Sequence, residues 1–524
     1  MFNIYFIYSC SIRNSESNRM WASASFVGVL IVIGLPLWWK TTEVYRVTLP
    51  YDKIAAFDPL SHVITTELTV LANDEPTAAE IAGLVEKAFE DSDVIKLKIS
   101  KSVLPEHLHQ TLDSVADEHE GVEEVASHYD LADHNKFYLV QRRPLFQDVW
   151  LANERVMFFR DSKASTTVVE ALKQWVYHTQ ILEGARAESA DEARRIRFPA
   201  SPEYRVKDML ISTVCFLNDL KHVFHLFPDY IGSFVDELSI LHNVTLKSQS
   251  LYMLNFDFQA KEVVDTSERG HHFSVRHDRL HLLLTRLEER APHQAAINLA
   301  LVAAPCDVTP LLIYDPNHSP IQAFMSPKWG GVVIANPTDR ECQDGEWKPQ
   351  TRLIMGAFIS QLRKLLGISD IDRIPGAYLD PLRSVTPRKW EIDSLLRIRT
   401  LEQLTSAERT LQSLAQLLGE ISNIVINDEV GASINEAVES TNIASILLTR
   451  GELLGAYQES QIASEAAETA FMEPSLLALL YFPDDQKYAI YIPLFLPIMF
   501  PVVLSLKNLF LWFRGKPIHK DKAD

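Results

Sequence analysis

The sequence predicts a mixed α/β domain, followed by an all-helical segment and enclosed by two membrane-spanning helices. Three observations lead to this prediction. Uncharged apolar segments lie near both ends of the 524-residue chain. Between them, strand-like runs alternate with helical periods as far as residue 373. From residue 388 onward the strand signals stop, and apolar residues recur at helical spacing.

The two apolar segments are long enough to cross a bilayer. Trp21–Trp39 and Ala489–Leu506 contain no charged residue, and as helices they would extend about 27–28 Å. The first segment ends in bulky tryptophans rather than in a small-residue cleavage site, so we interpret it as an uncleaved anchor. The second contains Pro493, Pro497 and Pro501. Because each proline frees a backbone carbonyl, this span is predicted to lie against other transmembrane helices.

The charges after the second span predict the sidedness of the chain. The last residues include more basic than acidic side chains, namely Arg514, Lys516, Lys520 and Lys522 against Asp521 and Asp524. The positive-inside rule therefore places this tail in the cytosol and the middle of the chain in a lumenal compartment. Two glycosylation sequons, at Asn243 and Asn317, fit that placement.

The predicted organisation has six parts. They are a short cytosolic N-terminus (1–20), transmembrane helix 1 (21–39), a lumenal α/β domain (45–373), a lumenal helical segment (388–480), transmembrane helix 2 (489–510) and a basic cytosolic tail (511–524). Met20 directly precedes the first span and is an alternative start of the chain.

Strands and helices alternate in the α/β domain, which favours a mixed sheet with flanking helices. The predicted strands are Val63–Leu71, Lys136–Val140, Arg155–Phe159, Asp208–Leu217, Val244–Phe256, Ile297–Ala303, Pro310–Tyr314 and Gly331–Ala335. The predicted helices are Thr77–Asp91, Ser165–Leu182, Ile231–Leu241, Asp278–Arg290 and Leu353–Leu366. Residues 105–134 are rich in Asp, Glu and His, and we predict a solvated loop there.

The helical segment contains two apolar stripes. The first consists of Leu404, Ala407, Leu411, Leu414, Leu418, Ile421 and Val425, and the second of Ala463, Ala466, Ala467, Ala470 and Phe471. An intramolecular bundle is favoured over a dimerising coiled coil, because too few heptads are sustained.

Composition excludes several classes of function. The formal net charge is −19, from 69 acidic and 50 basic residues, which makes binding to nucleic-acid phosphates unfavourable. The four cysteines form no CxxC pair, so a zinc framework is not predicted. Cys215, Cys306 and Cys342 lie between the spans and allow at most one disulfide there.

Motifs for metal or phosphate chemistry are weak. The sequence has no Walker loop, GxGxxG, GxSxG or HExxH. His277 and His281 stand four residues apart, with His271 and His272 nearby, which is a possible metal site. Surface or core histidines are favoured, because the residue after His277 is Asp rather than the Glu of the zinc-protease motif.

Two further patterns are compatible with catalysis. Asp370-Ile371-Asp372 resembles the DxD metal clamp of sugar transferases, but it follows a helix, so a capping or turn role is favoured. Cys306 follows a strand and has His271 and His272 upstream, as in caspase-like peptidases. A structural cysteine is favoured here. We therefore predict no catalytic, cofactor-binding or metal-binding residue.

Several long strings of the sequence belong together: Leu35–Glu43, Ser326–Gly331, Leu414–Val425, and Leu480–Lys487 leading into Ile492–Pro497. They resemble one known family, phosphatidylinositol-glycan class S (PIG-S). The resemblance extends from about residue 33 to residue 507. Trp329 and the glycines at 330 and 331 belong to one of these strings, and a packing turn is favoured there over a partner surface.

The resemblance implies a subunit of the GPI transamidase in the endoplasmic reticulum membrane, with no cofactor. In that family the complex cleaves a C-terminal signal from a proprotein and joins the new end to a GPI lipid. Catalysis belongs to a caspase-like subunit, so no catalytic residue transfers to this chain. The alternatives are an autonomous lumenal enzyme, either a cysteine peptidase or a DxD glycosyltransferase, and a lumenal cargo receptor.

Overall fold

A computed structural model describes most of the chain and divides it into two compact units. The described residues are 18, 20–34, 36–37, 40, 45–187, 203–212, 220–252, 260–264, 271–276, 280, 296–314, 319–327, 329–344, 347, 349–368, 372–382, 384–421, 424–474, 476 and 484–514. The first unit comprises Phe57–Arg409 and Ala437–Glu465. The second comprises Met1–Ala56, Thr410–Glu436 and Ala466–Asp524.

The strands of the first unit form three sheets. They are β1 (Ile64–Ala72), β2 (Ile95–Val103), β3 (Lys136–Gln141), β4 (Val149–Leu151), β5 (Val156–Phe159), β6 (Glu203–Ser212), β7 (Asn243–Tyr252), β8 (Lys261–Val264), β9 (His271–Arg276), β10 (Ala296–Ala303), β11 (Leu311–Tyr314), β12 (Pro320–Ile321), β13 (Ala323–Ser326), β14 (Gly330–Ala335) and β15 (Ala377–Leu379). The sheet orders are β15-β4-β5-β3-β1-β2, β13-β14-β10-β6-β7 and β12-β11-β9-β8. Each sheet mixes parallel and antiparallel pairs, as β3–β5 and β4–β5 illustrate.

Helices alternate with the strands along the sequence, and among the described elements only helices follow β15. They are α1 (Tyr51–Ala55), α2 (Glu75–Glu90), α3 (Glu106–Ser114), α4 (Glu118–His128), α5 (Ser165–Ala171), α6 (Thr179–Ala187), α7 (Leu220–Glu237), α8 (Asp339–Asp344), α9 (Thr351–Leu366), α10 (Lys389–Glu420), α11 (Asp428–Arg450), α12 (Leu453–Phe471) and α13 (Asp484–Phe513). A mixed α/β part followed by a helical part is confirmed.

Helix α2 illustrates how the sequence builds this fold. The Asp74 side chain accepts a hydrogen bond from the Thr77 N–H and caps the helix, and a proline occupies the first turn. The buried residues recur every three or four positions, and they are Ala78, Ile81, Ala82, Val85 and Phe89. They pack in the main core with residues of β1 such as Leu68 and Val70.

The loop predicted for residues 105–134 is wrong, because the segment contains α3 and α4. Leu108 and Leu112 lie four residues apart on α3, and Val122 and Val125 lie three apart on α4, so each helix presents one apolar face. These four residues are buried against Tyr138 and other residues of the six-stranded sheet. Four well-spaced apolar side chains suffice to bury two short helices, although the average composition of the segment is polar.

The other two sheets contribute to one hydrophobic core. Ala300, Val302, Val332 and Ile334 of the five-stranded sheet share a core with residues of the four-stranded sheet such as Ile313. Strand β6 begins and ends five residues earlier than the predicted strand Asp208–Leu217. The predicted helix Asp278–Arg290 lies outside the described residues, apart from the buried Leu280.

The turn before β14 confirms the packing interpretation of Trp329 and its two glycines. Trp329 is 6% exposed. Gly330 has a φ of +147°, and a Cβ there would lie 1.8 Å from the Asn298 carbonyl oxygen. At Gly331, a Cβ would lie 2.1 Å from Oε1 of Gln361, whose Nε2 donates to the Val332 carbonyl. Only glycine permits both close approaches.

The first apolar stripe of the helical part is confirmed as far as Leu418, and the buried residues are Leu404, Ala407, Leu411, Leu414 and Leu418. The extension of the stripe to Val425 is wrong, because α10 ends at Glu420. The Asn427 side chain accepts from the Val430 N–H and begins α11, and Ile426 pairs with Arg46 in a short bridge. The second stripe is buried apart from Phe471, which is 39% exposed.

The terminal segments are helical, but they do not confirm the predicted membrane spans. Residues 20–34 are helical and end in a π-helical turn, Leu30–Gly34. Helix α13 has 30 residues and contains the three prolines. Among the described residues, we find no helix whose length and apolar character together would take it through a membrane. The two predicted spans are therefore not confirmed.

Candidate functional site

A polar cleft of about 280 Å³ lies within the first unit, at the carboxyl ends of β4 and β15. Its walls come from α4, from the segment after β4, and from the segment that enters α10. The lining residues are His119, Val122, Glu123, Ala152, Asn153, Glu154, Leu382, Ser384, Thr386, Pro387, Arg388 and Lys389.

At the cleft, where helix α10 begins, Glu391 accepts two hydrogen bonds from Arg388. The Arg388 N–H donates to Oε2 of Glu391, at 2.8 Å, which satisfies a backbone donor that the first turn would leave unpaired. The Arg388 side chain also donates to Glu391, from Nη1 to Oε1, at 2.8 Å. Arg363 of α9 donates to the same carboxylate oxygen at 2.7 Å. The buried carboxylate of Glu391 is thus surrounded by charged donors.

Arg388 also joins α10 to the strand ends. Its Nη2 donates to the Asp380 carbonyl at 2.8 Å, and its Nε donates to Oδ1 of Asn153 at 3.1 Å. Asn153 Nδ2 in turn donates to the Asp380 carboxylate at 2.9 Å. His119 Nε2 approaches the other oxygen of that carboxylate at 3.2 Å. This arrangement holds α4, β4, β15 and α10 around the cleft.

A second polar cluster supports α10 one turn further along. Arg155 donates from Nε and Nη2 to the two carboxylate oxygens of Asp393, at 2.6 and 2.8 Å. Both side chains are 3% exposed. Nδ1 of His134 lies 2.7 Å from the same carboxylate, and Arg155 also donates to the Leu131 carbonyl. A bidentate pair buried in this way fixes orientation strongly.

The lining of the cleft contains both paired charges and hydrogen-bonding groups. Arg388 is engaged by Glu391, Asp380 and Asn153, and Lys389 by Glu237 at 2.8 Å. Hydroxyl and carboxylate groups of Ser384, Thr386, Glu123 and Glu154 are the other polar groups of the lining. They can accept or donate hydrogen bonds to a polar ligand, and none of the described side chains pairs a nucleophile with a base there.

Burial perturbs ionisation beside the second cluster. The ring of Tyr177 stacks under the Arg397 guanidinium, 5.1 Å from ring centroid to Cζ. Burial raises the pKa of Tyr177 to about 12. Burial also lowers the pKa of Arg397 below its usual range. The pKa of the neighbouring His178, whose φ is +45°, is lowered by burial to about 4.

We expect His178 to contribute to acid sensitivity. The folded state keeps its imidazole neutral, whereas the unfolded chain binds a proton near pH 6.5. Stability is therefore complete above about pH 6.5 and falls as the pH approaches about 4. His178→Asn removes this titration and tolerates positive φ. Its Tm should fall less than that of the wild type between about pH 7 and about pH 5, while the control His109→Ala, at a partly exposed position on α3, should follow the wild type. Identical losses in all three proteins would contradict this assignment.

Each residue that the sequence suggested for cysteine-peptidase chemistry has another partner in the structure. Cys306 forms a disulfide with Cys342, so its thiol is not free. His271 Nε2 lies 2.5 Å from Glu262, and His272 Nε2 lies 2.7 Å from the Tyr314 hydroxyl. The cysteine therefore has no role as a nucleophile in this state.

The remaining suggested sites are only partly described. His277, His281, Asp370 and Asn317 lie outside the described residues. Asp372 is exposed, and its carbonyl accepts from Trp175 Nε1 at 2.9 Å. In the part of the chain that the structure covers, no three His, Cys, Asp or Glu side chains converge as a metal site.

Comparison with known proteins identifies the family. The model of the phosphatidylinositol-glycan biosynthesis class S proteins, PIG-S, matches residues 25–516. This chain belongs to the PIG-S family. Among its relatives, "GPI-anchor transamidase component PIGS" of Bos taurus is 31% identical over 545 residues, covering 96% of this chain and 97% of the relative. The Rattus norvegicus protein of the same name is 30% identical, covering 94% of each chain. "GPI transamidase component GPI17" of Saccharomyces cerevisiae is 23% identical, covering 92% of this chain and 90% of that protein.

Sequence reasoning missed the cleft of this PIG-S chain. His119 belonged to the segment predicted as a loop. Arg388 lies at the start of a helix, and the charged residues around it match no functional motif. One signal was available. Glu391 stands three residues after Arg388, at the position of the acidic residue of a capping box, although Arg388 replaces the usual Ser or Thr. The partners Asn153 and Asp380, which follow β4 and β15, have no comparable local signal.

Proposed function

We propose that this chain is a non-catalytic subunit of a GPI transamidase complex that supports the attachment of GPI anchors to proproteins. The observation that carries this proposal is the family match over residues 25–516. Relatives from mammals and from yeast, which this chain matches along nearly their whole length, are named as transamidase components. The partners of the chain are the other subunits, including the caspase-like catalytic one, and the complex acts on a proprotein and a GPI lipid.

The proposed location is the endoplasmic reticulum membrane, with a span at each end and the bulk of the chain in the lumen. Large apolar side chains are exposed along both terminal helical segments, for example Trp21 at 69%, Val32 at 72%, Leu496 at 57% and Phe500 at 62%. Lipid or neighbouring helices would cover such side chains. A body tethered at both ends stays close to a lipid substrate and to the hydrophobic tail of a proprotein, which raises its effective concentration.

The proposed division of this body is an α/β domain over residues 45–373 and a helical segment over residues 388–480. The polar cleft supports a role in holding a partner or a substrate segment, because hydroxyl and carboxylate groups of Ser384, Thr386, Glu123 and Glu154 line it. Catalysis is assigned to another subunit.

The disulfide provides a test of the non-catalytic role. Cys306→Ser and Cys342→Ser break the same bridge, which closes a loop with a sequence separation of 36. Each should lower the free energy of unfolding by about 3–4 kcal/mol. Per folded molecule, both variants should support GPI attachment equally, measured with a GPI-anchored reporter at the cell surface. Selective loss with Cys306→Ser would restore the cysteine-peptidase alternative.

The glycosyltransferase and receptor alternatives require separate experiments. Asp370→Ala combined with Asp372→Ala should leave reporter attachment unchanged, and its loss would favour the DxD enzyme.

Purification of the full chain in mild detergent should recover the other transamidase subunits. A chain that purifies alone, and that fails to restore attachment in cells lacking their own class S subunit, would contradict the proposed function and leave the cargo receptor.

We further propose that Asn243 and Asn317 carry N-linked glycans. Asn243 is exposed at the start of β7, an edge strand of the five-stranded sheet. Asn243→Gln should therefore migrate faster than the wild type, by the mass of one glycan. Glycosidase treatment should then shift the variant by one glycan less than it shifts the wild type. An unchanged mobility would argue against modification at Asn243.

A further inference from the structure

The helical hairpin α3–α4 brings two histidines into direct contact. His107 lies in the first turn of α3, and His128 is the last residue of α4, so the two imidazoles meet where the hairpin opens. Their Nε2 atoms are 3.0 Å apart, and their ring centroids are 5.1 Å apart. Both side chains are exposed, so an ion from solvent can reach them.

Hydrogen bonds determine which nitrogen of His128 carries a proton. The Ser127 hydroxyl donates to the Glu124 carbonyl at 2.7 Å, so its oxygen is left as an acceptor. Nδ1 of His128 lies 2.7 Å from that oxygen and 3.1 Å from the same carbonyl. Because both neighbours accept, Nδ1 carries the proton in the neutral ring. Nε2 therefore presents its lone pair toward His107.

This is the arrangement that metal-binding histidines use. A metal-bound imidazole usually donates its other N–H to a carbonyl or similar acceptor, which fixes the tautomer and the ring orientation. Two nitrogens bound tetrahedrally to Zn²⁺ at about 2.0–2.1 Å are roughly 3.3–3.4 Å apart. The observed pair at 3.0 Å needs to open by only a few tenths of an ångström.

We propose that His107 and His128 form a two-histidine binding site for a borderline divalent cation such as Zn²⁺ or Ni²⁺. The ion binds both Nε2 atoms, and water completes its coordination. The proton that His107 Nε2 shares with His128 in the metal-free pair moves to Nδ1 or to solvent. The ion crosslinks the start of α3 to the end of α4, in the hairpin that covers one face of the six-stranded sheet. This site is independent of the proposed function in GPI transfer.

The test is calorimetric titration of the full-length chain in detergent, stripped with a chelator and then titrated with zinc chloride. Compared with the wild type, His107→Ala and His128→Ala should each lose one equivalent of bound zinc. The matched control is His109→Ala on the same helix, whose Nε2 is paired with Asp113 at 3.1 Å. It should retain that equivalent. Circular dichroism should show unchanged helix content, since all three histidines lie at the surface or partly exposed.

Ser127→Ala distinguishes a built site from chance binding to surface imidazoles. Loss of the hydroxyl removes an acceptor of the His128 Nδ1 proton, so zinc affinity at this equivalent should fall by about 10-fold or more. Zinc should also raise the Tm of the wild type more than that of His107→Ala. The proposal is overturned if His107→Ala binds zinc with the wild-type stoichiometry, or if His109→Ala loses as much as the two ligand variants.

Discussion

Replacing Gly330 by Ala is expected to destabilise the first unit by about 3–5 kcal/mol. The φ of +147° is unfavourable for any residue with a Cβ, and that atom would lie 1.8 Å from the Asn298 carbonyl oxygen. Asn298 cannot move away easily, because its own N–H donates to the Trp329 carbonyl at 2.9 Å, within the β10–β14 pairing. Relief would require a separation of two adjacent strands in the centre of a sheet.

The matched control is Gly83→Ala in α2. Gly83 is exposed, and a Cβ there would meet nothing within 4 Å. Alanine is the better helix former, so this variant should be more stable by about 0.5–1 kcal/mol. Chemical denaturation of both variants, with the change in midpoint compared at constant m-value, measures the difference. Near-equal stabilities would show that the turn before β14 can relax and that the packing argument is wrong.

Asp393→Ala is expected to lower the free energy of unfolding by about 3–5 kcal/mol. It leaves the Arg155 guanidinium buried without its carboxylate, and the desolvation cost of that charge is no longer offset. The imidazole of His134 loses the same partner. Thermal or chemical unfolding of the purified chain measures the loss.

Two further variants test the cause of that loss. Lys136→Ala removes a partner of Asp133 from a pair in which both side chains are more than a third exposed. Solvent screening limits its effect to about 1 kcal/mol or less. The double replacement Arg155→Met with Asp393→Leu should recover part of the stability, because no unpaired charge remains. A double variant as unstable as Asp393→Ala would indicate that shape, rather than charge, controls this position.

The segments predicted best are those with a regular apolar period. Helix α2 and the stripe from Leu404 to Leu418 follow their predicted positions, because three-to-four spacing reports which face is buried. Strands β1 and β10 were predicted as short strand-like runs, and most of their residues are buried. The loop predicted for residues 105–134 was wrong because it was based on average composition rather than on spacing. Their five buried apolar side chains are few beside the charged residues, so average composition concealed two helices that a test of spacing alone would have found.

The limits of helices depend on contacts that the spacing does not contain. The apolar period of α10 continues to Val425, yet the helix stops at Glu420. Competing interactions decide this end, since Asn427 caps the next helix and Ile426 pairs with Arg46, which lies near the other end of the sequence. A local sequence pattern contains no information about a partner almost four hundred residues away.

By itself, the sequence determined the class of the fold, the order of its main strands and helices, and the family to which the chain belongs. These properties are encoded in short-range periodicity and in long matching strings. The tertiary structure alone decided which side chains meet. It joined Cys306 to Cys342, Arg155 to Asp393 across 238 positions, and His107 to His128 across 21. Such pairs depend on distances through space, which chain folding sets only after the sheets and helices have packed.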